Sequence, residues 1–397
     1  MNDTINVTPE SLRAAMVDRL THAGYARSSA VQHVLGTVPR HLFVTHAPVN
    51  EAYADIAVIT KRDADGTPLS CASEPVVVAM QLDQLAIEPG DRICEIGAGT
   101  GYNAGNLAEL TGPDGHVTTV DIDAEVTAQA RKALDANGYS RVEVLTRDGS
   151  LGAPENAPYD RTVVTVGAFD IPAEWREQLK PGGRLVVPLR WRGQTRSIAF
   201  VRDGDTLRSD SVHLCGFVPM IGQDHEVNGK VDEAGHVDLY WDSDQNISLA
   251  GLQGVLSQPK VLAWSGVIVG GEESFDGIWL RMTATEPGTC RIAADKTAVA
   301  EALCTPIIPS RSPALVEGES LAYLHYRRSE GGAELGAIGH GPVAVELVER
   351  LCDQIRAWGE DRTAEPVITV HPADTPDERL GVDHVIAKRW SKLTLAY

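Results

Sequence analysis

The stretch ICEIGAGTGYNAGNLAEL, from Ile93 to Leu110, constrains the fold more than any other part of this chain. An apolar run leads into Glu95, glycines follow at positions 97, 99 and 101, and Leu107 and Leu110 continue at helical spacing. That order predicts a strand, a tight turn and a helix. The alternation persists downstream. DRICEIGAG, HVTTVDID, RVEVLTRDG and DRTVVTVGA read as strands, with helices expected from about Tyr102, over AEVTAQARKALDAN as far as Gly138, and over AEWREQL. Strands alternating with helices imply a mainly parallel sheet covered on both faces. PGGRLVVPL adds a strand after a glycine turn, and SIAFVRDGDTLRSDSVHLCGFVP reads as a closing antiparallel pair around Asp203 and Gly204. Ahead of the sheet, residues 9 to 36 carry two helical patterns broken at Gly24, with Leu12, Met16 and Leu20 on one face of the first.

Beyond Gln223 the texture changes. HVDLYWD, GIWLRMTAT, SLAYLHYRR, ELGAIGHG, VITVHP and HVIAKRWSKLTLAY look like strands separated by Gly, Pro and acidic turns. PVAVELVERLCDQIRAW places Val343, Leu347, Leu351, Ile355 and Trp358 along one side of a helix. A boundary is expected in the polar, glycine-punctuated segment QDHEVNGKVDEAGH, giving domains over 1–223 and 224–397, the second of α+β type. The length of 397 residues agrees, since single cores stop growing at roughly 250 to 300 residues.

Composition narrows the partners. A formal charge of -20 argues against nucleic acid, whose binding needs basic patches that displace counterions. Much of that charge serves solubility, leaving a small molecule or a neutral or basic surface as partner. Cys71, Cys94, Cys215, Cys290, Cys304 and Cys352 form no C-x-x-C pair, so neither a metal site nor a disulfide framework is expected and a reducing cytoplasm fits. MNDTINVTPESLRAAM lacks a basic region followed by an apolar one, and nowhere do 18 apolar residues run together, so neither export nor a membrane span is expected. Oligomeric state is not legible.

The glycine loop carries the first chemistry. Dinucleotide enzymes use G-x-G-x-x-G after a strand, whereas the spacing here is G-x-G-x-G, and Glu95 beside two phosphates would be repelled. A carboxylate suits S-adenosylmethionine, which has no phosphate and carries an amino group and a sulfonium. Asp121, about 20 residues beyond the loop, can accept hydrogen bonds from both ribose hydroxyls. A purely structural glycine turn is the other reading. In SCASEPVVVAMQLDQL, Ser73 stands just ahead of Pro75 at a helix entrance, as an N-cap or as a donor that orients a substrate carboxylate.

VPRHLFV (38–44), AYAD (52–55), SEPVVVAM (73–80), EIGAGTGYNA (95–104), DG (148–149), APYDRTVVT (157–165) and QLKPGGRLVVP (178–188) together resemble the protein-L-isoaspartate O-methyltransferase family in order and spacing, and FVPM (217–220) resembles the end of the ordinary repair enzyme. The resemblance implies a class I S-adenosylmethionine-dependent methyltransferase, a Rossmann-like α/β domain here followed by a smaller α+β domain. It implies Ser73 as the active-site hydroxyl, near the cofactor and the acceptor. Pro75, Val76, Val77 and Val78 would line the cofactor cavity. Gly97, Gly99 and Gly101 would let the backbone approach the methionine part, Asp121 would bind the ribose and Asp148 with Gly149 would contact the adenine, with Glu95, Thr100 and Ile122 as further cofactor-binding residues. One departure is on the substrate side: DADGTPLSCASEP is longer and more irregular than the usual lead into the serine, and Glu74 stands where Gln or Ala is usual.

Relatives of this type with a C-terminal extension are associated with ribosomally made, post-translationally modified peptides, including lanthipeptides, graspetides and lasso peptides. The resemblance therefore implies a modified, macrocyclic precursor peptide as acceptor, methylated on an aspartate that proceeds to aspartimide or isoaspartate, with residues 224–397 as a recognition domain. General isoaspartyl repair and an inactive binding scaffold are the alternatives.

Overall fold

A computed structural model of the chain describes residues 8–382 and 384–397; residues 1–7, the start of the N-terminal stretch in which no export signal is expected, lie outside the described residues. The chain divides into two compact units. The first runs to Gly222 without residues 190–194, and the second comprises Arg190–Gln194 and Gln223–Tyr397.

The first unit opens with helices Pro9–His22 and Ser29–Thr37. The first is held by a reciprocal cap: Ser11 N donates to Thr8 Oγ1 at 3.2 Å and Thr8 N donates to Ser11 Oγ at 3.0 Å. Met16 and Leu20 are buried in one cluster with Val31, Val34 and Leu35, which also takes in Leu107 of helix Tyr102–Thr111 and Val163 and Val186 of the sheet. The sheet runs, in spatial order, Glu143–Thr146, His116–Asp121, Arg92–Ile96, Tyr159–Val164, Leu179–Trp191, Gln194–Asp203 and Thr206–Leu214. The pairs from Glu143–Thr146 to Leu179–Trp191 are parallel and the last pair is antiparallel, so the sheet is the mixed Rossmann-like sheet of a class I methyltransferase. Parallel strands leave from the same end, which gathers the loops after Ile96, Asp121, Thr146 and Val164 at one edge. An additional hairpin, Val58–Arg62 with Pro68–Ala72, pairs only with itself and leads directly into Ser73. The irregular lead into the serine is thus a two-stranded ribbon with register shifts at Lys61.

The second unit is built on an antiparallel sheet in the order Glu226–Lys230, Val237–Asp242, Thr289–Ala294, Ser312–Glu317, Ser320–Ser329, Gly332–His340 and Val261–Val269. Helix Ala344–Glu360 covers one face, burying Leu347, Leu351 and Ile355 against Leu315, Leu324 and Ala337. One expectation fails here. GIWLRMTAT alternates like a strand, yet Asp276–Thr285 is a helix, because Ile278 and Met282, one helical turn apart, bury against Leu351 and Ile355 of the covering helix. The polar segment in which a boundary is expected contains Glu226–Lys230, the edge strand of this sheet, its polar side chains suited to an edge. Among the described residues no helix is long and apolar enough to cross a membrane.

Candidate active site

The loops gathered at the strand ends enclose a cavity, and the glycine loop forms its floor. Gly97 N and Ala98 N both donate to Val120 O, at 2.7 and 3.2 Å, so the turn is stitched to the neighbouring strand. Gly97 has φ +103°, and a Cβ there would meet Thr165 Oγ1 at 2.4 Å. The space a side chain would need is occupied by a hydroxyl that itself donates to Gly97 O at 2.6 Å. Asp121 is turned toward the loop: its carboxylate accepts from Gly99 N at 3.3 Å and from Asp123 N at 3.1 Å. Burial pushes its pKa upward, and the backbone donors from Asp123 and Gly99 oppose that shift.

Nine of the residues named from the sequence line this cavity: Ser73, Val78, Gly97, Gly99, Thr100, Asp121, Ile122, Asp148 and Gly149. Five do not. Pro75, Val76 and Val77 begin the helix Pro75–Leu85, and as side chains advance around its axis only Val78 of this turn reaches the lining. Gly101 faces the other way, where a Cβ would meet Ala130 O at 3.2 Å; its role is close packing of the loop on helix Ala124–Ala136. Glu95 lies beneath the loop with no exposed surface, Oε1 accepting from Asn103 Nδ2 at 2.7 Å and Oε2 from Thr119 Oγ1 at 2.6 Å. Burial pushes its pKa up to about 7.

Ser73 is not the helix cap. The N-cap of Pro75–Leu85 is Glu74, with no side-chain cap bond, which leaves the serine hydroxyl at the cavity wall. Asp148 caps the short helix Gly149–Leu151, accepting from Ser150 N at 2.9 Å, while Trp175 Nε1 fixes Gly149 O at 2.8 Å. Residues without a role in the sequence reading complete the enclosure. Met220 and Val218 come from the FVPM segment, Thr165 from the end of APYDRTVVT, and Lys61 from the hairpin. The motifs containing Thr165 and Met220 were therefore visible, but not their approach to the cavity. Lys61 Nζ bridges Asp123 Oδ2 at 2.6 Å and Glu125 Oε2 at 2.8 Å, tying the serine-bearing hairpin to the capped start of helix Ala124–Ala136.

The protein-L-isoaspartate(D-aspartate) O-methyltransferase family model matches residues 11–225, more than half of the chain. The chain belongs to this family. A protein-L-isoaspartate O-methyltransferase of Methanopyrus kandleri is 40% identical over 215 residues, 53% of this chain and 92% of that one. One of Hyperthermus butylicus is 38% identical over 226 residues, 53% of this chain and 89% of that one. These relatives leave the C-terminal extension uncovered. A solved structure titled protein-L-isoaspartate O-methyltransferase superposes over 97% of this chain and 100% of its own, with a TM-score of 0.52 and 19% identity, a likeness of fold. The chain is accordingly an S-adenosylmethionine-dependent protein isoaspartate carboxyl O-methyltransferase, acting on protein or peptide substrates. The lining fits the chemistry of that cofactor: the Asp121 carboxylate could accept from ribose hydroxyls, the bare glycine backbone leaves room for an amino-acid chain, and Val78, Ile122 and Met220 would offer apolar surface to an aromatic base.

Proposed function

We propose that this methyltransferase esterifies the side-chain carboxylate of an aspartate in a modified, macrocyclic ribosomal peptide, and that the ester then closes to aspartimide and opens to isoaspartate. The observation that carries the catalytic part is the placement of Ser73, freed from capping, on the wall of the same cavity as Asp121 and the glycine loop. S-adenosylmethionine supplies an electrophilic methyl group. A carboxylate is already ionised at neutral pH, so the chain need supply no general base. What its residues contribute is alignment and exclusion of water. Ser73 donates its hydroxyl to the acceptor carboxylate, Asp121 holds the ribose, Asp148 and Gly149 flank the base, and the Lys61 bridge keeps the hairpin in place beside the cavity. The later ring closure is an attack of the neighbouring backbone amide on the ester, expelling methanol without help from the protein.

The reading of the acceptor rests on the extension. Domain 1–223 carries the motifs of the family, and we assign 224–397 to selection of a constrained peptide. A macrocycle fixes the acceptor loop before binding, so little ordering entropy opposes the complex. All six cysteines are free thiols, which supports a reducing, cytoplasmic setting. The second reading, general isoaspartyl repair, draws on the protein-L-isoaspartate O-methyltransferases of Methanopyrus kandleri and Hyperthermus butylicus, which match 53% of this chain and leave the extension uncovered. Mass spectrometry of the full-length enzyme with a cyclised precursor, its linear form and a short isoaspartyl peptide separates the two. Methylation of the cyclic form alone supports tailoring; equal activity on both precursor forms, or strong activity on the isoaspartyl peptide, supports repair. Ser73→Ala tests the site itself, with turnover expected to fall far more than cofactor affinity.

A further inference from the structure

Arg40, in the VPRHLFV motif, is the most deeply buried cation of the first unit, with no exposed surface. Arginine is almost never buried without an anion beside it. Among the described residues no carboxylate pairs with Arg40. Its guanidinium instead spends its donors on backbone: Nε donates to Ala52 O at 2.7 Å, and Nη2 donates to Ala72 O at 3.3 Å and to Ser73 O at 2.7 Å. Nη1 is buried and has no hydrogen-bond partner. The plane lies 5.0 Å from the ring centre of Tyr102, the first residue of the helix that follows the glycine loop. Ala72, Ser73 and Tyr102 all line the cofactor cavity, so the cation sits behind the wall that carries the serine.

We propose that Arg40 is a positioning residue of the methyl transfer: it locks the peptide unit of Ser73 against the glycine-loop helix and sets a positive charge, paired with no carboxylate among the described residues, behind the acceptor's place. The inference rests on the reading of Ser73 as the group that orients the acceptor. Three features support it. A rigid fork can reach carbonyls of two separate segments at once, Ala52 on one side and Ala72 with Ser73 on the other, whereas a lysine offers a single ammonium. The bond to Ser73 O falls on the one residue of the hairpin exit that has lost any capping role, so the serine's backbone is fixed by Arg40 and not by the helix. A positive charge in a low-dielectric wall favours an arriving anion over a neutral group, which matches an acceptor that enters as a carboxylate and leaves as an ester.

The test is a double-mutant cycle on the full chain with Arg40→Lys, Ser73→Ala and both together. Cofactor affinity is measured by titration with S-adenosylmethionine, and kcat and KM with the acceptor peptide that the wild type turns over best. The expected result is that Arg40→Lys keeps cofactor affinity within about twofold, lowers kcat at least tenfold, and adds nothing when Ser73→Ala is already present. Independent losses in the double variant, near-wild-type turnover of Arg40→Lys, or cofactor affinity collapsing in step with turnover would each overturn the proposal, the last by making Arg40 a folding residue. Wild-type turnover in Ser73→Ala would instead remove the reading of Ser73 beneath it, a distinct outcome.

Discussion

Two carboxylates on neighbouring parallel strands, Glu95 level with Thr119 and Asp121 two residues further on, illustrate how position decides chemistry. Asp121 reaches the cavity, and its replacement by Ala should weaken S-adenosylmethionine binding, since hydrogen bonds to a charged group contribute roughly 1.5 to 3 kcal/mol each. Calorimetric titration would detect the loss; unchanged affinity would leave Asp121 as a loop brace only. Asp123 offers no substitute, being engaged with Lys61 and with Glu125 N and Val126 N at the helix start. Glu95 never meets the cavity, and its effect is on stability. Its folded pKa is raised to about 7 by burial, above the model-compound value of 4.5, so the folded state holds the proton more tightly than the unfolded chain. The sign follows: the contribution is most favourable below pH 4.5 and is lost as pH rises toward 7. At about 1.4 kcal/mol per pH unit the loss is on the order of 3 kcal/mol. Glu95→Gln should remove this slope, whatever constant offset it brings, so denaturant unfolding of the two proteins at pH 5 and pH 8 should diverge at the higher pH. Parallel pH profiles would show that Glu95 is not the titrating group.

At the level of elements, the glycine turn and the strand–helix alternation were legible because each is a local pattern: positive φ demands glycine, and burial on both faces demands apolar strands. Gly97 and Asp121 followed from that. What stayed hidden depends on packing between distant segments. Gly101 carries the same letter as Gly97 but faces helix Ala124–Ala136, and nothing local distinguishes the two. The alternating GIWLRMTAT misleads because Ile278 and Met282, four apart, satisfy both periods, and only the covering helix decides between them. Helix Pro75–Leu85 shows a third case, two glutamines in an apolar run that act as ties. Gln84 Nε2 donates to Ser197 O at 3.1 Å and Ser211 Oγ at 3.0 Å, and Ser197 Oγ donates back to Gln84 Oε1 at 2.6 Å. Gln84→Leu should therefore cost about 1 to 3 kcal/mol in chemical unfolding through unpaired buried groups. Cofactor affinity should not change, because Gln84 is absent from the cavity lining. A neutral substitution would mean that water takes over its bonds.

Across the whole molecule, every residue of the cofactor cavity belongs to the first unit. A chain ending at Gly222 should thus retain S-adenosylmethionine binding within a few-fold while melting at a lower temperature, as read by calorimetry with and without cofactor. Loss of binding would show that the second unit is needed to form the site. One loss on truncation is at Arg192, which belongs to the second unit although it precedes Gly222 in the chain. Its guanidinium donates to Asp242 Oδ2 at 3.3 Å and to Asp244 Oδ1 and Oδ2 at 2.8 Å each, and Trp279 Nε1 donates to Arg192 O at 3.0 Å. During synthesis, Asp242 leaves the ribosome 50 residues after Arg192. At roughly 5 to 20 residues per second, the Arg192 side chain waits several seconds for these partners. The order of translation therefore gives the second unit one piece made early, Arg190–Gln194, whose buried charge must wait for the carboxylates that the later chain brings to it.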